Sequence, residues 1–284
     1  MSVASAGFPY LTAILLSCVA ALLVILFIPE DRKMLIKWVS LVFSGITLAL
    51  CLIVYVAYDR TMGGFQFVEK IRWVQSMGIY YHNAADGFSL PMLLLTGIVL
   101  FTGVLTMWEL ETRVKEFFAL TFLLVTGVFG MFMAMDLFFL FVWYDVSLFP
   151  MYPLIAIWGS TRKEYGAMKL TLYLLAGSAL ILPGILYLYV KSGLNTFDIA
   201  ALMHPGVFTP FQQKFAFLLF YLGFGILAGV WPFHTWSPVG HVAAPTAVSM
   251  LPDRSMMMTA ASDGTSTFCR ASMVTGRASS MGVR

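Results

Sequence analysis

The chain has 284 residues, 60% of them hydrophobic and 11% charged, with a formal net charge of +3. A soluble domain is ordinarily about half apolar and about a quarter charged, so this composition excludes a water-soluble globular protein and predicts one embedded in a bilayer. The cations are scattered rather than gathered with aromatics, which excludes a nucleic-acid surface. Cys18, Cys51 and Cys269 lie too far apart for a metal or redox motif and read as free thiols.

Apolar segments long enough to cross a membrane, about 20 residues each, follow one another along the chain. The first runs from Phe8 to Ile28. No basic region precedes it and no small-residue cleavage pattern follows, so it reads as a retained span rather than a removed signal peptide. The second covers Trp38 to Tyr58, and a polar, aromatic-bearing loop leads to a third from Ser89 to Trp108. Glu109, Glu111, Arg113, Lys115 and Glu116 separate that span from a fourth, Phe117 to Met135. Asp136 marks the turn into a fifth ending near Trp158. A sixth covers Ala167 to Val190 and a seventh Phe215 to Trp231. The expected fold class is therefore all-α, a polytopic membrane helix bundle of about seven spans.

Lys and Arg crowd into alternate short connections: Arg32, Lys33 and Lys37, then Arg113 and Lys115, then Arg162, Lys163 and Lys169. Arg60, Lys70, Arg72, Lys191 and Lys214 are diluted over the others. By the positive-inside bias, the first set is cytoplasmic and the N-terminus lies outside. Trp38, Trp108 and Trp158 near span ends fit an interfacial aromatic belt. After Trp231 comes a segment in which Pro232, Pro238 and Pro245 should break regular helix. From Pro252 the apolar periodicity disappears, leaving a mixture of Ser, Thr, Met, Gly and Arg expected to be disordered. The expected organisation is thus a transmembrane domain over 1–251 and a tail over 252–284.

Asp145 is the most informative residue. It lies about nine residues in from Asp136, hence about 13 Å deep at helical rise. An ionised carboxylate near the bilayer centre costs at least about 2.5 kcal/mol, so such residues face the bundle interior and mark ion or proton pathways. Its helical neighbours Phe141, Val142, Leu148 and Phe149 supply no counter-charge, so a partner must come from another helix. Lys169, near the start of the sixth span, is the nearest candidate, with snorkelling to the interface as the alternative. His234 and His241 lie in the broken segment, where an imidazole can relay protons or simply sit at the interface. His82 and His204 fall in external loops with nothing assigned. Gly-rich phosphate loops, nucleophile triads and cysteine clusters are absent from the sequence, so no cofactor is expected on this chain.

Several segments match one family. YYHNAADGFSLPMLLLT looks like an xGxDGxSLPxxxLT entry to the third span, with Ala85 where Val is usual. FVWYDVSLFPMYPLIAIWG resembles a fifth-span pattern FxxWExxLxPMxxLIxxWG, and RKEYGAMKLTLYLLAGSALIL the start of the sixth. WPFHTWSPVGHVAAPTAVSML resembles PFHTWLPDAHxxAPTAxSxxL. Together, from Asp86 to Leu251, they resemble the antiporter-like M subunits of bacterial NADH:quinone oxidoreductase (complex I), similar to mitochondrial NADH dehydrogenase subunit 4. More distantly they resemble the large subunits of multisubunit cation/proton antiporters.

The resemblance implies a proton-translocating membrane-arm subunit in a bacterial plasma membrane, with a subunit of a multisubunit cation/proton antiporter or a truncated, non-pumping structural fragment as the alternatives. NADH, FMN, iron–sulfur clusters and quinone would sit on partner subunits, and its own partners would be other membrane-arm subunits, the lipid bilayer and protons. By the same resemblance Asp145 takes the place of the fifth-span Glu of the proton channel, one methylene shorter. The seventh-span Lys falls on Leu227, and Val239 stands where Asp is usual. The resemblance stops near Leu251, about half-way through the family's pattern and inside an expected eighth span. Residues 252–284 are therefore expected to be an out-of-frame translation.

Overall fold

The computed structural model describes residues 8–61, 63–160 and 162–244. The expected disordered tail over 252–284, with Cys269, lies outside the described residues, as does Pro245. The apolar runs form α1 (Tyr10–Phe27), α2 (Lys33–Ala57), α3 (Ser89–Thr106), α4 (Val114–Met133), α5 (Leu137–Trp158) and α6 (Lys163–Ser192). Among the described residues these six helices are long and apolar enough to cross a membrane. After them come the short α7 (Ile199–Leu202), then α8 (Pro210–Leu227) and α9 (Trp236–Ala243).

The seventh expected span is corrected by this. It begins earlier, at Pro210, where Thr209 and Gln212 form a reciprocal capping box. Its first turn carries Gln212, Gln213 and Lys214, and it ends at Leu227, four residues before the expected limit at Trp231. Further chain continues the path. Leu227 packs on Gly177, near the middle of α6, while α9 packs along the N-terminal half of α6 through Gly240 against Leu170 and Ala243 against Gly166. So α8, the turn at 228–235 and α9 make one interrupted segment laid along α6. Pro238, expected to break helix, sits instead in the first turn of α9, where its missing N–H has no intrahelical acceptor to lose.

A second correction concerns the loop before α3, which contains an antiparallel hairpin of β1 (Gln66–Val74) and β2 (Ile79–Ala85). Gly78 closes it at φ +66°, where a Cβ would strike the carbonyl oxygen of Asn195 at 1.7 Å. Only glycine fits there.

Lipid tails are as apolar as leucine, so close van der Waals fit rather than water exclusion holds such helices together. α4 is the central helix, with Phe117, Phe118, Phe122 and Phe129 all buried. It is apolar all round, as a helix must be when packed on every side. Against it lies α5, which approaches over glycines. A Cβ on Gly127 would come 2.5 Å from the Ser147 amide nitrogen, and one on Gly130 would come 2.3 Å from the Trp143 ring. This contact fixes the rotation of α5 and thereby the direction of Asp145.

The two ends of the bundle are set by polar ties. At one end, Lys33 and the buried Lys37 donate to the carbonyls of Glu111 and Trp108, and Trp158 Nε1 donates to the Thr112 carbonyl. The rings of Trp38 and Trp108 meet edge to face at 5.4 Å there. At the other end, the Glu69 carboxylate of β1 accepts from the amides of Leu11 and Thr12 and from the Thr12 hydroxyl. The clustered cations and the three tryptophans thus share the end away from the hairpin.

Candidate functional site

Asp136 caps α5, its carboxylate accepting from the amides of Phe138 and Phe139 and, across from β2, from that of Tyr80. From that cap, α5 carries Asp145 into the bundle. Its side chain turns toward α6, where the Ser178 hydroxyl is placed to donate to the carboxylate. Carboxylate oxygen Oδ1 is buried and has no hydrogen-bond partner among the described residues. Neighbouring Trp143 Nε1 and Tyr144 Oη are likewise buried and unpartnered. Pro150 and Pro153 lie inside α5 and Pro183 inside α6. They release the carbonyls of Val146, Phe149 and Ala179 from helical hydrogen bonding, two of them within a turn or so of Asp145.

Lys169 is not beside this carboxylate. It lies about nine residues from Ser178 along α6, a separation of about 13 Å at helical rise. Its ammonium stands 5.9 Å from the centre of the Tyr165 ring. His234 is exposed in the turn between α8 and α9, next to Thr235, whose hydroxyl lies 3.3 Å from that of Tyr173 on α6. The His241 side chain lies outside the described residues. Leu227 is buried and fills the notch at Gly177, beside Ser178 and hence level with Asp145. An apolar side chain occupies the position that the resemblance gives to lysine.

Sequence reasoning missed a second polar cluster, at the hairpin end. Lys70 Nζ of β1 lies 2.6 Å from Asp198 Oδ2, and His82 Nδ1 of β2 lies 3.3 Å from the same oxygen. Burial pushes the Asp198 carboxyl up, but the His82 ring and the Lys70 ammonium beside it outweigh burial and hold it at about 2. Burial also raises Asp136, against three backbone donors, and the charge of Asp198 adds to the rise. Backbone bonds stitch the cluster together, Met135 donating to His82, Leu137 to Phe197 and Ile199 to Met135. The only early signal was a lysine and a histidine in one loop, which the hairpin sets directly opposite each other. Their acceptor is more than a hundred residues away.

The motif that opens α3 has a structural use. Asp86 Oδ1 accepts from the Ser89 amide at 2.7 Å, and Ser89 Oγ accepts from the Asp86 amide at 2.9 Å. That reciprocal pair starts the helix.

With this geometry in hand, similarity to known proteins is informative. The chain is 35% identical over 250 residues to a NAD(P)H-quinone oxidoreductase chain 4 of Trichodesmium erythraeum, covering 86% of this chain and 44% of that protein. It is 34% identical over 227 residues to NADH-quinone oxidoreductase subunit M of Rhodobacter capsulatus, covering 76% and 44%. The chain thus spans less than half the length of these curated relatives. A chain of respiratory complex I from Thermus thermophilus superposes with a TM-score of 0.73 at 24% identity, over 91% of this chain and 50% of that one; this shows a shared fold. Residues 134–280, which include α5, α6, α8 and α9, match the transmembrane family model described as NADH:quinone oxidoreductase/Mrp antiporter. The chain belongs to that family.

Proposed function

We propose that this chain is a proton-translocating subunit of the membrane arm of an NADH:quinone oxidoreductase, with Asp145 as its protonatable group. One observation carries the reading: a carboxylate about mid-way through the bundle is left with an unpartnered oxygen. A buried structural carboxylate would be expected to have all its acceptor sites filled. Here protonation is the cheapest way to remove the charge, and a nearby cation or water the way to restore it. Redox energy released on partner subunits would shift that balance. NADH, FMN, iron–sulfur clusters and quinone belong to those partners in this reading.

The interrupted segment α8–α9 supports a path from the clustered-cation end. Lys169, then Tyr173 with Thr235 and His234, then Ser178 with Asp145 stand at successive levels of α6. Lys169 acts in this scheme through its field, and His234 as a proton carrier at the break. The Lys/Arg bias supports a cytoplasmic position for this end, with the N-terminus outside, in a bacterial plasma membrane. The family's description also names Mrp antiporters, which favours a second reading as a subunit of a cation/proton antiporter.

The test is proton uptake by vesicles holding the intact complex. Asp145→Asn should abolish it while assembly persists, because an amide cannot release a proton in this range. Asp145→Glu should keep or raise it. Normal translocation by the Asn variant would sink the assignment of Asp145. Transport driven by NADH oxidation supports the oxidoreductase reading, and Na⁺/H⁺ exchange without NADH supports the antiporter.

A further inference from the structure

Asp145 is half-buried, and what lies open beside it on α5 is apolar. Val142, Asp145, Phe149, Tyr152 and Ala156 recur at intervals of three and four along the helix, and none of them is fully buried. At about 100° per residue they share an arc of about 80° on one side. Tyr144, Ser147, Leu148, Met151 and Leu154, on the other sides, are buried against the bundle. Phe149 is 70% exposed and Tyr152 42%. Lipid would suit those two rings. It would not suit the carboxylate one turn before them, because an acid within a span faces protein or a polar cavity rather than hydrocarbon. Intervals of three and four are also those at which one helix seats against another.

The charge on this face is uncompensated. Ion pairs among the described residues join Lys70 and His82 to Asp198 and Arg113 to Glu116, and none reaches Asp145. Leu227, level with it, is buried and apolar. Carboxylate oxygen Oδ1 has no hydrogen-bond partner among the described residues. We infer that α5 presents this face to a membrane-spanning helix of a partner subunit, and that a Lys or Arg on that helix supplies the missing counter-charge. A second copy of this chain does not fit the role: among its described helices, no Lys or Arg lies in the middle third, the level that Asp145 holds on α5. The docking helix is apolar along most of its length, with one cation near the bilayer centre. Pairing there offsets the cost that each charge would meet alone in hydrocarbon.

This inference rests on Asp145 being the protonatable group of a membrane-arm subunit, and crosslinking separates the contact from the transport. Benzoylphenylalanine introduced in place of Phe149, in the intact complex in membranes, reacts on illumination with whatever covers that face. Peptide mass spectrometry should place the adduct on an apolar segment of one partner subunit, a segment that carries a Lys or Arg. Replacing that cation by Met should move the infrared band of the protonated Asp145 carboxyl, which is identified by its loss in Asp145→Asn. The same replacement should slow translocation at least about tenfold. Adducts with lipid alone, or with this chain alone, overturn the docking surface. A partner segment without a cation, or a Met variant whose carboxyl band stays in place, overturns the counter-charge. If translocation survives Asp145→Asn, the functional reading fails, while the crosslinked segment still decides the docking.

Discussion

Two carboxylates inside this molecule, Asp198 buried and Asp145 half-buried, meet opposite environments. Asp198, at the hairpin end, shares one oxygen between Lys70 and His82 and caps the turn at Ala200 with the other. Asp145, in the middle of the bundle, has a serine hydroxyl on one side and an unpartnered oxygen on the other. The first is held in its charged form by two side chains and a backbone amide. The second is held in neither form strongly. A carboxylate that ties elements together must stay charged, and a carboxylate that passes protons must be able to lose and regain its charge at small cost. The contrast is the one that the proposed role of Asp145 calls for, and breaking it tests that proposal.

The largest expected effect comes from disturbing what aims Asp145. Gly127→Ala would place a Cβ 2.5 Å from the Ser147 amide and 2.7 Å from the Trp143 carbonyl, both backbone atoms of α5 that cannot swing aside. Overpacking of this kind costs about 1–3 kcal/mol and sometimes more. The variant should fail to assemble or should melt well below wild type. Cys18 and Cys51 are both buried, so a thiol-reactive dye reports the melting directly. A wild-type melting curve would mean that α5 is free to rotate and that the direction of Asp145 is not set by α4.

Next comes the structural acid itself. Asp198→Asn leaves Lys70 and His82 without their anion and should destabilise by about 2 kcal/mol. A broken buried pair costs about 3–5 kcal/mol, here discounted because the Lys70 side chain is 43% exposed. Proton translocation per assembled complex should be unchanged. Loss of transport without loss of stability would move Asp198 from structure to mechanism and erase the contrast.

Acid should act on the same cluster with a definite sign. Asp198 is lowered from an ordinary 3.8 to about 2 by its partners. A lowered carboxylate gives stability that is complete above its unfolded value and lost as the pH falls through its folded value. The hairpin end should therefore weaken between about pH 4 and pH 2, by roughly 2 kcal/mol in all. Asp136, raised by burial, works in the opposite direction and softens the loss. Hydrogen exchange at the amides of β2 measures it, and protection that stays constant down to pH 2 would show that Asp198 is not paired in solution.

Much of this was legible in the residues. Six spans and the place of Asp145 part-way along the fifth follow from apolar runs and one charge inside a run. The hairpin was hidden because its first strand carries Glu69, Lys70 and Arg72 close together and leads into a turn closed by a glycine. The charge made them read as loop, although Gln66–Val74 and Ile79–Ala85 are rich in β-branched and aromatic residues. The seventh span was misplaced because its helix opens with polar residues and stops half-way, so no single window contains it. Ser178 and Asp198 could not be found at all. Each acquires its role from a residue on another element, and a lone serine in a helix looks like any small packing residue.

The smallest expected effect is the one that tests distance. Lys169 was the natural partner for Asp145 by sequence, and it stands about 13 Å along α6 from Ser178, the residue that meets Asp145. A unit charge at that separation in a partly shielded interior acts with about 1.3 kcal/mol, close to tenfold. A contact pair at about 4 Å in a partly shielded interior would act with about 4 kcal/mol, close to a thousandfold. The two values are far enough apart to decide between a field and a contact. Lys169→Gln keeps the length and polarity of the side chain while removing its charge, and Lys169 is half-buried over Tyr165 rather than packed in the core, so the fold should not suffer. Translocation should fall by no more than about tenfold, with the infrared band of the Asp145 carboxyl unmoved. A hundredfold fall, or a displaced carboxyl band, would mean that the lysine reaches Asp145 during turnover, and the unpartnered oxygen would then have a partner after all.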